Sequence, residues 1–140
     1  MRFYRTLLLS MLSFCLFLPL FAVITDGSAG MKKIRVDIDS SGSRIEPRAG
    51  DEIQIELQGV GGTGYSWNFD ELDHDLFELI GEERKIQEQG GESVGYPTLY
   101  TWILKAKKTG KSVIRMSYYR IWEGKDKAIR GFELEVNIVP

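Results

Sequence analysis

The sequence predicts an all-β protein made of two sheets packed face to face, and three observations predict it. Apolar residues recur at every second position in one segment after another. Only one short stretch carries a helical period. Clusters of glycine, proline and charged residues interrupt the chain at regular intervals. Alternation of period two gives each strand one apolar and one wet face, and such strands are stable when their apolar faces meet.

The first thirty residues are of another kind. Arg2 and Arg5 precede a run from Leu7 to Ile24 that is apolar except for Ser10 and Ser13, contains Pro19, and gives way to TDGSAG. A basic start, an apolar middle and a small-residue exit are the layout of a secretory signal. Residues 1–29 are therefore read as a signal peptide or membrane anchor, and residues 30–140 as one domain. Cleavage after Ala29 fits, Ala22 is a second exit, and the run is long enough to span a bilayer if Pro19 is tolerated. The expected location is secreted, periplasmic or at the cell envelope, with membrane contact only through this segment. Phe14 before Cys15 argues against lipidation there. An internal start at Met31 would give a cytosolic form.

Within the domain the strands follow in order. Ile34, Val36 and Ile38 alternate with charged residues, as do Ile53, Ile55 and Leu57. Tyr65, Trp67 and Phe69 continue the pattern, followed by Tyr100, Trp102, Leu104 and Ala106, then Ile114, Met116 and Tyr118, and finally Phe132, Leu134, Val136 and Ile138. A further short strand is expected between residues 76 and 88. The helical candidate is DELDHDLFELIGEE, where Leu72, Leu76, Leu79 and Ile80 share helical spacing; a turn followed by a strand is the other reading. PRAGD, QGGES, KKTGK and EGKDK mark turns. About seven such strands call for an immunoglobulin-like sandwich, in which alternate loops gather at one end.

Composition excludes several functions. The 140 residues carry a formal charge of -2 with scattered basic residues, which leaves no footprint for a nucleic acid. Removal of residues 1–29 leaves 16 basic and 19 acidic residues, a charge of -3, and no cysteine. Thiol chemistry, disulfides and thiolate metal sites are closed to the domain, but about 110 residues can stand on a hydrophobic core alone. His74 is the single histidine; flanked by Asp73 and Asp75, it reads as a solvated acidic turn. No serine has a base partner beyond it, and the carboxylates of GEERK and QEQGGES lack the spacing of an acid and base pair. No enzyme activity and no cofactor or metal is expected.

Three loops stand out. GVGGTGYSWNF at 59–69 sets a glycine cluster against Tyr65, Trp67 and Phe69; VGYPT follows near residue 95; YYRIWEGKDK closes a later strand. TGYSW after one strand, VG before an aromatic alternating strand and YYRIWE at the end of the next resemble, in this order, the chagasin-like inhibitors of papain-family cysteine peptidases, over residues 33 to 139. Thr63, Gly64 and Tyr65 match the family's NPTTGY, whereas Val60, Gly61 and Gly62 replace its asparagine, proline and first threonine. Gly95 matches the start of a GxGG pattern, with Pro97 and Thr98 in place of later glycines. Arg120, Ile121 and Trp122 stand for RPW without the proline.

The resemblance implies a reversible wedge that blocks a peptidase cleft. Gly61, Gly62, Thr63, Gly64 and Tyr65 would form the entering loop, with Gly95, Tyr96 and Pro97 and then Arg120, Ile121 and Trp122 clamping the walls, in a monomer with a papain-family peptidase as partner. Narrow clefts admit backbone, so glycines suit the tip, while Tyr65 and Trp67 give it a rigid root. Trp67, Trp102 and Tyr118 fall in phase with the core, whereas Tyr119 points the other way; Trp122 lies beyond its strand's last core position and is expected exposed. The rival reading is a non-catalytic exported module that binds carbohydrate or an envelope component, stacking a sugar on Trp122.

Overall fold

The computed structural model describes residues 30–87 and 95–140; the segment read as a signal or anchor and the QGGES stretch expected to turn lie outside the described residues. Among the described residues eight strands form two sheets: β1 (Lys33–Val36), β2 (Ser43–Ile45), β3 (Glu52–Val60), β4 (Tyr65–Glu71), β5 (Phe77–Ile86), β6 (Pro97–Ala106), β7 (Gly110–Arg120) and β8 (Arg130–Ile138). One sheet runs β1-β3-β6-β5 and the other β2-β8-β7-β4. The all-β sandwich predicted from alternation is the fold observed. The count exceeds seven because the N-terminal run is divided: β1 pairs parallel with β3 in one sheet and β2 parallel with β8 in the other.

What divides it is a cap. The Asp37 carboxylate accepts the amide N–H groups of Asp39 and Ser40, which turns the chain into a single 3-10 turn at Ile38–Ser40. Ile38, expected as the third inward residue of its strand, is therefore 44% exposed. A similar competition decides DELDHDLFELIGEE. The Asp73 carboxylate accepts N–H from Asp75 and Leu76, closing a turn of the kind aspartate favours over helix interiors. From Phe77 the chain pairs with β6 over ten residues, with a bulge between Leu79 and Gly81, so the turn and strand reading holds and the helical one does not. His74 is exposed on that turn, and no metal-binding cluster is present among the described residues.

The core lies between the sheets. Ile53, Ile55 and Leu57 of β3, Leu104 and Ala106 of β6, Ile114 of β7 and Leu134 of β8 are wholly buried. Burying each large aliphatic chain contributes about 1.5–3 kcal/mol, enough to replace the missing disulfides. Trp67, Trp102 and Tyr118 join this core as their phase predicts. Phe69 meets Trp102 edge to face at 5.8 Å.

Strand directions define two poles. Val60 pairs with Pro97, Tyr65 with Arg120, Ile86 with Thr98 and Tyr118 with Arg130, so the end of β3 and start of β4, the end of β5 and start of β6, and the end of β7 and start of β8 share one pole. At the other, Asp51 fastens the incoming chain: its carboxylate accepts the Arg48 N–H at 2.8 Å and the Lys32 N–H at 2.9 Å. Those bonds, first Arg48 and then Lys32, hold its pKa below the ordinary 3.8. A depressed folded-state pKa stabilises the fold above the unfolded value, and that stability is lost as pH falls through the folded one. Asp51→Ala is expected to lower stability at pH 7 by about 1–3 kcal/mol. It should also flatten the acid limb of an unfolding curve below about pH 4. Chemical denaturation across pH checks both.

Candidate functional site

The loop pole is built from its root outward. Gly59 and Val60 end β3, and Tyr118 of β7 reaches across the sandwich to them. Its hydroxyl accepts the Val60 N–H at 2.8 Å and faces the Val60 carbonyl at 3.5 Å. Only a residue without a side chain permits this: a methyl group on Gly59 would lie 2.8 Å from both the Tyr118 hydroxyl and Cε2 of Tyr100. The neighbouring Gln58 carbonyl accepts from Trp67 Nε1 and from Arg130 Nη1, both at 3.1 Å, tying β4 and β8 to the same root.

From that root the first loop protrudes. The Thr63 hydroxyl donates to the Val60 carbonyl at 2.8 Å and closes the loop on itself. Gly62 and Gly64 take φ of 78° and 80°, backbone that side chains disfavour. Gly61 serves another purpose: it is buried, its N–H donates to the Tyr96 carbonyl at 2.8 Å, and a methyl group there would lie 2.9 Å from the Thr98 hydroxyl oxygen. The second loop is thereby bonded to the first. Gly95, at φ 107°, sits beside the Val60 side chain, and Pro97 is exposed at the start of β6.

The third loop closes over the first. The Arg120 guanidinium donates from Nε to the Thr63 carbonyl at 2.9 Å and from Nη1 to Glu123 at 3.0 Å, and lies 4.5 Å from the centre of the Tyr65 ring. Tyr65 is itself stacked on Tyr118 at 5.5 Å. Trp122 projects beyond them, 69% exposed like Ile121, with its six-membered ring over Gly64. A methyl group at Gly64 would fall 2.1 Å from Trp122 Cη2.

Every candidate from the sequence, from Gly61 to Tyr65, Gly95 to Pro97 and Arg120 to Trp122, lies at this one pole. The roles divide, however. Arg120, Tyr65 and Thr63 are half-buried and committed to internal partners, whereas Gly62, Gly64, Pro97, Ile121 and Trp122 form the outer surface. Sequence reasoning missed the root: Gly59 reads as one more turn glycine, and Tyr118 as core alone. The signal that could have found them was a glycine at the end of a strand whose other positions are large. One side of the Trp122 ring closes against the first loop, while the residue as a whole stays 69% exposed.

Among the described residues, hairpin ends distant in sequence are locked into one protruding edge. Comparison with known proteins identifies the family. The description "Chagasin family peptidase inhibitor I42" matches residues 46–136, and the chain belongs to this family. Amoebiasin-2 of Entamoeba histolytica is 33% identical over 88 residues, which is 63% of this chain and 71% of that protein. The crystal structure of a cysteine protease inhibitor from Entamoeba histolytica aligns with a TM-score of 0.71 at 28% identity, covering 78% of this chain and 97% of that one. The solution structure of Amebosin shares the fold, with a TM-score of 0.55 at 24% identity over 79% of this chain and all of that one. The family inhibits papain-like cysteine peptidases; it is not a family of enzymes.

Proposed function

We propose that the loop pole enters the active-site cleft of a papain-family cysteine peptidase as a reversible, non-covalent wedge. Gly62, Thr63 and Gly64 stand over the peptidase's catalytic cysteine and histidine. Gly95, Tyr96 and Pro97 line one wall, and Ile121 and Trp122 the other. Tyr65 and Arg120 hold the wedge from behind. The observation that carries this reading is the lock among the three loops: Gly61 to Tyr96, Arg120 to Thr63, and Trp122 on Gly64. A wedge held so needs little ordering when it binds, which spares affinity. Its positive φ values also depart from the extended backbone that a substrate strand adopts.

The two prolines of the family pattern are replaced at Gly61 and Ile121. Each loss of proline preorganisation costs about 0.4–1 kcal/mol. At residue 61 the exchange is offset, because proline has no N–H and the Gly61 N–H makes the bond to Tyr96, worth about 0.5–1.5 kcal/mol.

The leader layout supports export, and we infer a monomer that is secreted or held at the cell envelope. Lys32 enters at the pole opposite the loops, where Glu52 N–H bonds its carbonyl, so an attached leader or anchor leaves the wedge clear. N-terminal sequencing of exported protein tests this. Titration of residues 30–140 against papain or a cathepsin with a fluorogenic substrate tests the inhibition. Activity unchanged at micromolar inhibitor would overturn the reading. Within a positive titration, Trp122→Ala should raise the inhibition constant at least about tenfold with the melting curve intact, as loss of an exposed aromatic anchor predicts.

A further inference from the structure

β5 is almost all surface beyond Phe77, since it is the outer strand of its sheet. Its last residues nevertheless reach the loop pole. The register sets Arg84 opposite Tyr100 and Ile86 opposite Thr98, and the Gln87 N–H donates to the Pro97 carbonyl at 2.8 Å, which carries the strand up to the second loop. The Arg84 guanidinium lies 5.2 Å from the centre of the Tyr100 ring. Its Nη2 is 3.8 Å from where a methyl group on Gly61 would sit. A positive charge thus stands at the base of the first loop.

Its neighbours differ from it in one respect. Arg120 is bound to the Thr63 carbonyl and Glu123, and Arg130 to the Gln58 carbonyl. Arg84 rests on the Tyr100 ring and has no hydrogen-bond acceptor among the described residues. Beside it Ile86 is 56% exposed.

We propose that Arg84 is a specificity-determining residue: it pairs with a carboxylate on the rim of the bound peptidase's cleft, with Ile86 packing alongside. The inference rests on the loop pole being the peptidase-binding end. A guanidinium has donors without acceptor capacity. Its stacked face is already dry, and seating the wedge removes water from the rest, which is unfavourable for an unpaired cation. A carboxylate answers it with two parallel hydrogen bonds, whereas a cationic rim repels it. Peptidases with an acidic rim are thereby selected, and the preference appears chiefly in the association rate.

Stopped-flow association of the full chain, R84Q and R84E with two papain-family peptidases, one acidic and one basic at the cleft rim, tests this. With the acidic enzyme, R84E should lower the rate at least about tenfold at about 20 mM salt and by under about threefold at about 500 mM, where screening is strong. With the basic enzyme it should raise the rate. R84Q keeps a stem over Tyr100 and should fall between, with an unchanged melting temperature. Equal effects on both enzymes, or none, would overturn the role of Arg84 while leaving inhibition itself intact. A wild type that inhibits neither enzyme overturns the underlying reading and this inference together.

Discussion

Replacing Gly64 with alanine is expected to raise the inhibition constant by a hundredfold or more, the largest functional loss available from one methyl group. Two effects add. At φ 80° a side chain costs about 1–2 kcal/mol. The new methyl would also sit 2.1 Å from Trp122 Cη2, so the indole must leave its seat on the first loop. Aromatic anchors of this kind carry about 2 kcal/mol or more of binding energy. Their sum, at tenfold per 1.4 kcal/mol, sets the hundredfold expectation. Gly42→Ala is the control: it has φ 82° and open space around it, away from the loops, so it should lower stability by a similar backbone term and leave inhibition unchanged. Equal inhibition by Gly64→Ala and the wild type would remove Trp122 from the binding edge.

The largest loss of stability should come from Gly59→Val. Its side chain would enter 2.8 Å from Tyr100 and Tyr118, which are 6% and 1% exposed and hemmed in by Trp102 and Trp67. Overpacking costs about 1–3 kcal/mol. Displacing the Tyr118 hydroxyl strands the Val60 N–H, which adds about 1–3 kcal/mol. For a domain of this size a loss near 3 kcal/mol lowers the thermal midpoint by about 10 °C. Tyr118→Phe removes the hydroxyl without adding bulk and should show the second term alone. A midpoint for Gly59→Val within about 2 °C of the wild type would mean that the two rings yield freely, contrary to dense packing.

Much of this molecule was legible in one dimension. Period-two alternation located the long strands, and phase assigned Trp67, Trp102 and Tyr118 to the core and Trp122 to the surface. Two places misled it. Ile38 keeps the alternation but lies past an Asp37 cap, and Leu72, Leu76, Leu79 and Ile80 share helical spacing across an Asp73 turn. In each, a side chain hydrogen-bonding its own backbone outweighed a pattern of hydrophobicity, which short windows do not separate.

The site divides along the same line. Residue types alone determined where the glycine tip, the aromatic root and the exposed Trp122 lie, because conformational freedom, strand phase and polarity are local properties. Tertiary structure decided what each glycine is for. Gly59 admits the Tyr118 hydroxyl, Gly61 gives an N–H to Tyr96, and Gly64 seats the Trp122 ring. Those partners lie between 35 and 59 residues away along the chain. Only the pairing of strands across two sheets brings them within reach, and no local pattern encodes a contact made at that separation.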